Sequence, residues 1–181
     1  MLIDPRRACL LVVDIQEKLV PAVHQHQQLV ANSRWLLDVA RILEIPVLVS
    51  EQYPQGLGHT VAELSEFCRA DNTMAKQHFS CAADQQCLAQ INRCAREQVV
   101  IIGMEAHVCV LQTALGLLQQ DKEVFVVADT IGSRNPNDMH LAIERMRHCG
   151  VQIVTREMVA FEWMQQSGTE QFKTISKAFL R

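Results

Sequence analysis

Three residues of different chemistry stand far apart in this 181-residue chain yet could act as one group: Asp14, Lys76 and Cys109. The cysteine lies in the stretch VVIIGMEAHVCVLQTA, residues 99–114. An apolar run there reaches Gly103. Cys109 follows six residues later, and Val110, Leu111, Ala114, Leu115 and Leu118 then recur with helical spacing. A strand that turns into a helix at a cysteine aims the sulfur out of the carboxyl end of a sheet. It also sets backbone N–H groups and a helix N-terminus beside the sulfur, which favour thiolate over thiol. Asp14 closes the run LLVVD, where a lone buried carboxylate is costly and needs a partner. Lys76, in TMAKQHFS, offers a cation. Together the three allow a concrete reaction. Asp14 takes the Cys109 proton and later gives it to a leaving group. Lys76 holds Asp14 ionised and helps the thiolate. The sulfur attacks an electrophilic carbonyl carbon to give a thioester-type intermediate, and backbone N–H groups hold the oxyanion. Spacing alone leaves plainer readings open. Cys109 could be a small core residue, Asp14 a cap or turn former, and Lys76 a solvated loop side chain.

The elements that must position these residues alternate along the chain. Apolar runs at 8–13, 46–50, 99–103, 123–128 and 151–155 read as buried strands. Helical stripes fall at 27–43, 62–68, 81–96, 107–120, 137–148, 158–165 and 170–179, with Gly150 as a C-terminal stop. Strands apolar on both faces, separated by helices, mean a parallel sheet covered on both sides. The expectation is a single α/β domain over 1–181: a three-layer α/β/α sandwich with a parallel, Rossmann-like sheet of five to six strands. In such sheets ligands bind beyond the carboxyl ends of the strands. Asp14, Glu51, Cys109 and Asp129 all follow strand ends, and the segment after strand two, EQYPQGLG, reads as a flexible polar loop.

Bulk properties narrow the function classes. The net charge is −3, with no basic stripe, which argues against nucleic acid or an anionic membrane surface as a partner. No apolar run approaches the roughly 20 residues of a membrane span. The start of the chain, MLIDPRRACLLVVD, reads as a first strand and not a signal peptide. Seven cysteines without a regular framework argue for reduced thiols in the cytoplasm. Cys81, Cys87 and Cys94 are spaced too widely, and His24 and His26 are too isolated, for a structural zinc site.

At LLVVDIQ, KQHFS and GMEAHVCVLQTA, followed by VFVVADTIGSR, the chain resembles the isochorismatase-like cysteine hydrolase superfamily over nearly its whole length. EQYPQGLGHT and EMVAFEWMQ point to the branch of isochorismatase domain-containing proteins. The resemblance implies an Asp–Lys–Cys triad at Asp14, Lys76 and Cys109. It implies a non-proline cis peptide at Met104–Glu105, which turns the Glu105 N–H inward beside that of Cys109 as an oxyanion hole. Gln16 is expected near the nucleophile, and Tyr53, Leu57, Phe79 and His107 as pocket walls for a small-molecule substrate. Nicotinamidases of the superfamily carry an Asp and paired histidines after strand two. Here 51–60 holds only His59, so no metal and no cofactor are expected.

The reaction this implies is hydrolysis of a C–N bond in an amide or carbamoyl compound. Two other readings compete. One is an isochorismatase-type vinyl-ether hydrolase with Asp14 as general acid; the other is a non-catalytic scaffold. The apolar residues Phe161, Trp163, Met164, Phe172, Ile175 and Phe179 exceed what one helix face should expose, which suggests a homo-oligomer.

Overall fold

The computed structural model describes residues 1–180. Six strands form one sheet: β1 (Ala8–Val13), β2 (Val47–Gln52), β3 (Thr73–Lys76), β4 (Gln98–Met104), β5 (Glu123–Gly132) and β6 (Gln152–Val154). Every pairing is parallel, and the spatial order is β3-β2-β1-β4-β5-β6. The order reverses between β1 and β4. At such a switch point the flanking connections leave in opposite directions and open a crevice beyond the strand ends. Asp14 follows β1 and Cys109 follows β4, so both border that crevice.

The expected three-layer sandwich is the one observed. In β1 every residue is buried, as both faces of a covered parallel sheet require. Leu10 and Val12 point to one core, beneath α1 (His26–Ile42), α6 (Arg156–Met164) and α7 (Glu170–Phe179). Cys9, Leu11 and Val13 point to the other, beneath α3 (Gln85–Arg93), α4 (Leu111–Leu118) and α5 (Pro136–His148). Burying each such aliphatic side chain contributes about 1.5–3 kcal/mol. Four helices begin at side-chain caps that satisfy otherwise unpaired N–H groups, whereas α1, the short α2 (Pro54–Leu57) and α4 do not. Asp84 caps α3, Asn135 caps α5, Thr155 caps α6 and Thr169 caps α7.

Several expectations need correction. The weakly patterned TMAK segment is the edge strand β3, paired to β2 through Gln52 and Lys76. The segment expected as a helix at 62–68 is a 3-10 turn, Ala62–Phe67. The strand expected to end at 128 continues to Gly132 across a register irregularity opposite β4. Among the C-terminal apolar residues, Trp163, Met164 and Ile175 are buried, and Phe172 and Phe179 pack against the core. Only Phe161 remains exposed, so these side chains mostly cover the sheet. No helix is long and apolar enough to cross a membrane among the described residues.

Candidate active site

Asp14, Lys76 and Cys109 meet at the carboxyl ends of β1, β3 and β4. Lys76 Nζ donates to Asp14 Oδ2 at 2.8 Å, and both side chains are fully buried. Ser50, the next strand's contribution, donates its hydroxyl to Asp14 Oδ1 at 2.8 Å. Lys76 Nζ also reaches Gln52 Oε1 at 2.7 Å and the carbonyls of Phe79 and His78 at 3.0 and 3.2 Å. An ammonium ringed by four acceptors stays charged. Burial alone would push the Lys76 pKa down, but the negative charge of Asp14, to which it is hydrogen-bonded, raises it above its ordinary value. Burial raises the Asp14 pKa, against the opposing pull of Lys76 and Ser50.

The environment of Cys109 differs from the one expected. Burial, followed by the Asp14 charge, drives its pKa well up; Lys76 only partly offsets this. The resting group is therefore a neutral thiol beside a carboxylate base, not a preformed thiolate. A neutral thiol next to a buried carboxyl whose pKa is raised is an arrangement in which a proton could pass from one to the other. Among the other cysteines, all of them free, Cys94 has its pKa lowered to about 7 by its hydrogen bond with Cys9.

The turn that carries Cys109 is also built differently. No cis peptide occurs among the described residues, so the bond before Glu105 is trans. The chain reverses instead through Gly103 at φ 143° and Glu105 at φ 56°. Gly103 is required here because a Cβ would lie 2.1 Å from the Val13 carbonyl oxygen, where β4 crowds β1. The expected helix at 107–120 opens as a π turn, Ala106–Val110, before α4 begins. Such a turn inserts an extra residue and re-aims the side chains within it, a device frequent at functional sites. Glu105 and Cys109 both border the cavity at this turn.

That cavity has a volume of about 340 Å³. Leu57 and Phe79 line it as expected, together with Leu19, Ala22, Gln52, Val108 and Arg134. The guanidinium of Arg134 donates to Glu105 Oε2 at 3.1 Å. Two other expected wall residues, Tyr53 and His107, stand elsewhere. Gln16, expected near the nucleophile, is buried with its amide committed to the Gln52 main chain and the Gly58 carbonyl. Tyr53 takes a left-handed conformation (φ 37°), packs its ring over Gly56 and is half exposed. His107 turns away to Ser133, with Nδ1 2.9 Å from the hydroxyl. Ser50, Gln52 and Arg134 were not singled out from sequence. The first two lie on β2, where a run SEQ of buried polar residues at a strand end was the available signal. Arg134 closes the VADTIGSR stretch.

The segment after β2 is not the flexible loop expected. It is pinned along the chain that follows Asp14. Lys18 N–H donates to Leu57 O and Lys18 Nζ to Gly56 O, Glu17 N–H donates to His59 O, and Val61 N–H donates to Ile15 O. Buried Glu51 accepts from the Thr60 N–H and hydroxyl at 2.7 and 2.9 Å and faces His59 Nδ1 at 2.9 Å. Burial pushes Glu51 up, but the bonds from Thr60 and His59 outweigh it, and its pKa falls below the usual value. Among the described residues, no group of three or more His, Cys, Asp or Glu side chains is arranged to hold a metal ion.

Comparison with known proteins matches this architecture. In sequence the chain is 38% identical over 176 residues to isochorismatase domain-containing protein 2 of Rattus norvegicus, covering 97% of this chain and 82% of that one. It is 32% identical over 179 residues to isochorismatase family protein 1A of Dictyostelium discoideum, covering 96% and 86%. In structure it superposes on the MAR1 ribonuclease of Caenorhabditis elegans with a TM-score of 0.91 at 37% identity, covering 100% of this chain and 93% of that one. It superposes on YcaC of Pseudomonas aeruginosa, solved with hexane-2,5-diol and covalent acrylamide, with a TM-score of 0.90 at 26% identity, covering 97% and 90%. YcaC of Escherichia coli, described as an octameric hydrolase of unknown specificity, gives a TM-score of 0.90 at 25% identity, covering 97% and 89%. The isochorismatase domain model matches residues 8–158, a span that holds Asp14, Lys76 and Cys109, and the chain belongs to the isochorismatase family.

Proposed function

We propose that this protein is a small-molecule hydrolase that cleaves a C–N bond of an amide or carbamoyl compound, with Cys109 as nucleophile. The observation that carries the reading is the buried Lys76–Asp14 pair, set against a single thiol at the floor of a mostly apolar cavity. Cys109 Sγ attacks the carbonyl carbon while its proton passes to Asp14. The carbonyl electrons move onto oxygen, held by the N–H groups of Glu105 and Cys109. Collapse of this intermediate breaks the C–N bond, and Asp14 returns the proton to the leaving nitrogen. Water then adds to the thioester with Asp14 as base, and the thiol is released. Lys76 stays charged throughout and makes the ionised Asp14 tolerable in a buried site. Leu57, Phe79 and Val108 shape the substrate's apolar side.

The covalent acrylamide on the Pseudomonas protein supports a reactive nucleophile in this architecture, since a thiol adds readily to such an alkene. The test uses a Cys94→Ser, Cys149→Ser background, which removes the low-pKa thiol and the exposed thiol. Acrylamide treatment should add one adduct, at Cys109. An adduct that persists after Cys109→Ala refutes the reading. A panel of amides, N-carbamoyl compounds and esters, with Cys109→Ala as control, identifies the substrate.

A vinyl-ether hydrolase is the second reading. The raised Asp14 pKa favours it, because a carboxyl that holds its proton can act as a general acid. It predicts that Cys109→Ala keeps most turnover while Asp14→Asn abolishes it. RNA belongs in the same panel because of the nematode relative's name. The net charge of −3 and the apolar cavity weigh against a phosphodiester chain as substrate. A reducing, cytoplasmic setting suits seven free thiols. The octameric Escherichia coli relative and the exposed Met158 and Phe161 on α6 support a homo-oligomer. Light scattering at the 20.5 kDa monomer mass would refute that part.

A further inference from the structure

One buried polar side chain at the cavity floor has no part in the scheme above. We propose that Gln52 is a positioning residue: it holds the Lys76 ammonium against Asp14 and ties it, through Gln16, to the cavity wall. This rests on Cys109 being the nucleophile and Asp14 its base.

Gln52 closes β2, is 8% exposed and borders the cavity beside Cys109. Its amide nevertheless faces the protein. Oε1 accepts from Lys76 Nζ at 2.7 Å, the shortest of that ammonium's four contacts. Nε2 donates to the Gln77 carbonyl at 2.8 Å, which fixes the amide so that oxygen, and not NH₂, meets the ammonium. The Gln52 main chain is clamped on both sides by one side chain. Its N–H donates to Gln16 Oε1 at 2.7 Å, and its carbonyl accepts from Gln16 Nε2 at 2.9 Å. Gln16 Nε2 also donates to the Gly58 carbonyl at 2.7 Å, next to the wall residue Leu57. Hydrogen bonds thus link the wall segment through Gln16 to the Gln52 main chain, and the Gln52 side chain through Lys76 to Asp14.

The ammonium has three protons for its four acceptors. Without the Gln52 oxygen, the ammonium loses its shortest contact, only the longer bonds to the His78 and Phe79 carbonyls hold it beside Asp14, and it shifts from the carboxylate, which loses part of the pull that keeps it ionised. Protonated Asp14 cannot take the Cys109 proton. Gln52→Leu should therefore move the acid limb of Cys109 alkylation upward, by about one pH unit, and slow acrylamide addition about tenfold at the foot of that limb. Gln52→Asn, whose oxygen stops about one methylene short of Nζ, should shift the limb in the same direction while keeping a polar amide in place.

The experiment follows acrylamide addition to Cys109 against pH by mass spectrometry, in the Cys94→Ser, Cys149→Ser background. A residue that only packs would lower the melting temperature and leave the limb where it is. Superimposable profiles for parent and both variants overturn the positioning role. Failure of the parent to label at Cys109 overturns the nucleophile reading instead, so the two failures are distinct. Should Gln52→Leu fail to fold, the Gln52→Asn profile decides.

Discussion

Replacing Lys76 with methionine tests the electrostatic core of the site most directly. The side chains are similar in length, so packing changes little, but Asp14 is left without its cation at 0% exposure. Removing one partner of a buried ion pair costs about 3–5 kcal/mol. The carboxylate can escape that cost only by taking a proton, so the penalty must depend on pH. The sign follows from proton counts. In the variant, burial is opposed mainly by the Ser50 hydrogen bond and lifts the folded-state pKa of Asp14 further above its unfolded value. Between those two values the native state binds a proton that the unfolded chain does not. Stability then falls as pH rises, by up to about 1.4 kcal/mol per unit. Between about pH 5 and about pH 7 this removes at most about 2.7 kcal/mol, a large part of a typical folding free energy. Urea denaturation of Lys76→Met at the two pH values measures it, with the m-value checked for constancy. The double variant Asp14→Asn, Lys76→Met carries no buried charge and should lose the added slope. A Lys76→Met protein as stable as the parent above neutrality, or an unchanged slope in the double variant, would refute the reasoning.

Three further outcomes follow from the geometry. Gly103→Ala combines a positive φ with a backbone collision against β1, and should cost about 3 kcal/mol or more, read from the thermal midpoint, together with loss of Cys109 labelling. A bulky anionic disulfide reagent at neutral pH should titrate Cys94 and exposed Cys149 before Cys109, because burial and Asp14 hold the latter as a thiol; thiol mapping that finds Cys109 first would contradict the neutral resting state. His107→Ala should leave acrylamide addition at Cys109 within about twofold while lowering stability by about 1 kcal/mol, since its ring is hydrogen-bonded to Ser133 and turned from the cavity.

The sheet was legible in the sequence because buried parallel strands announce themselves as unbroken apolar runs, as in β1 and β4. The edge strand β3 was not. Only Met74 and Lys76 of its four residues are buried, and a lysine aimed inward reads locally as a solvated loop residue. Asp14 and Cys109 were legible as polar residues that close or follow buried runs. Lys76 was legible as a possible cation partner, but spacing left it open as a solvated loop lysine, because its burial depends on pairing with a strand from elsewhere in the chain. Gln16 shows the limit of residue type. A buried amide serves a ligand or a backbone equally well, and only the positions of Gln52 and Gly58 decide between them. His107 and Tyr53 shift for a related reason. The π turn and the left-handed residue rotate side chains by amounts that helical periodicity does not encode.

The reacting groups sit on β1, β3 and the turn after β4, whereas Leu57 and Phe79 come from the connections between strands. Chemistry and recognition are therefore inherited separately. Insertions or substitutions around Leu57 and Phe79 can exchange the substrate without dismantling the proton-transfer set. In the proposed hydrolase, the sheet would then fix how a bond is cleaved and the connections which compound is taken.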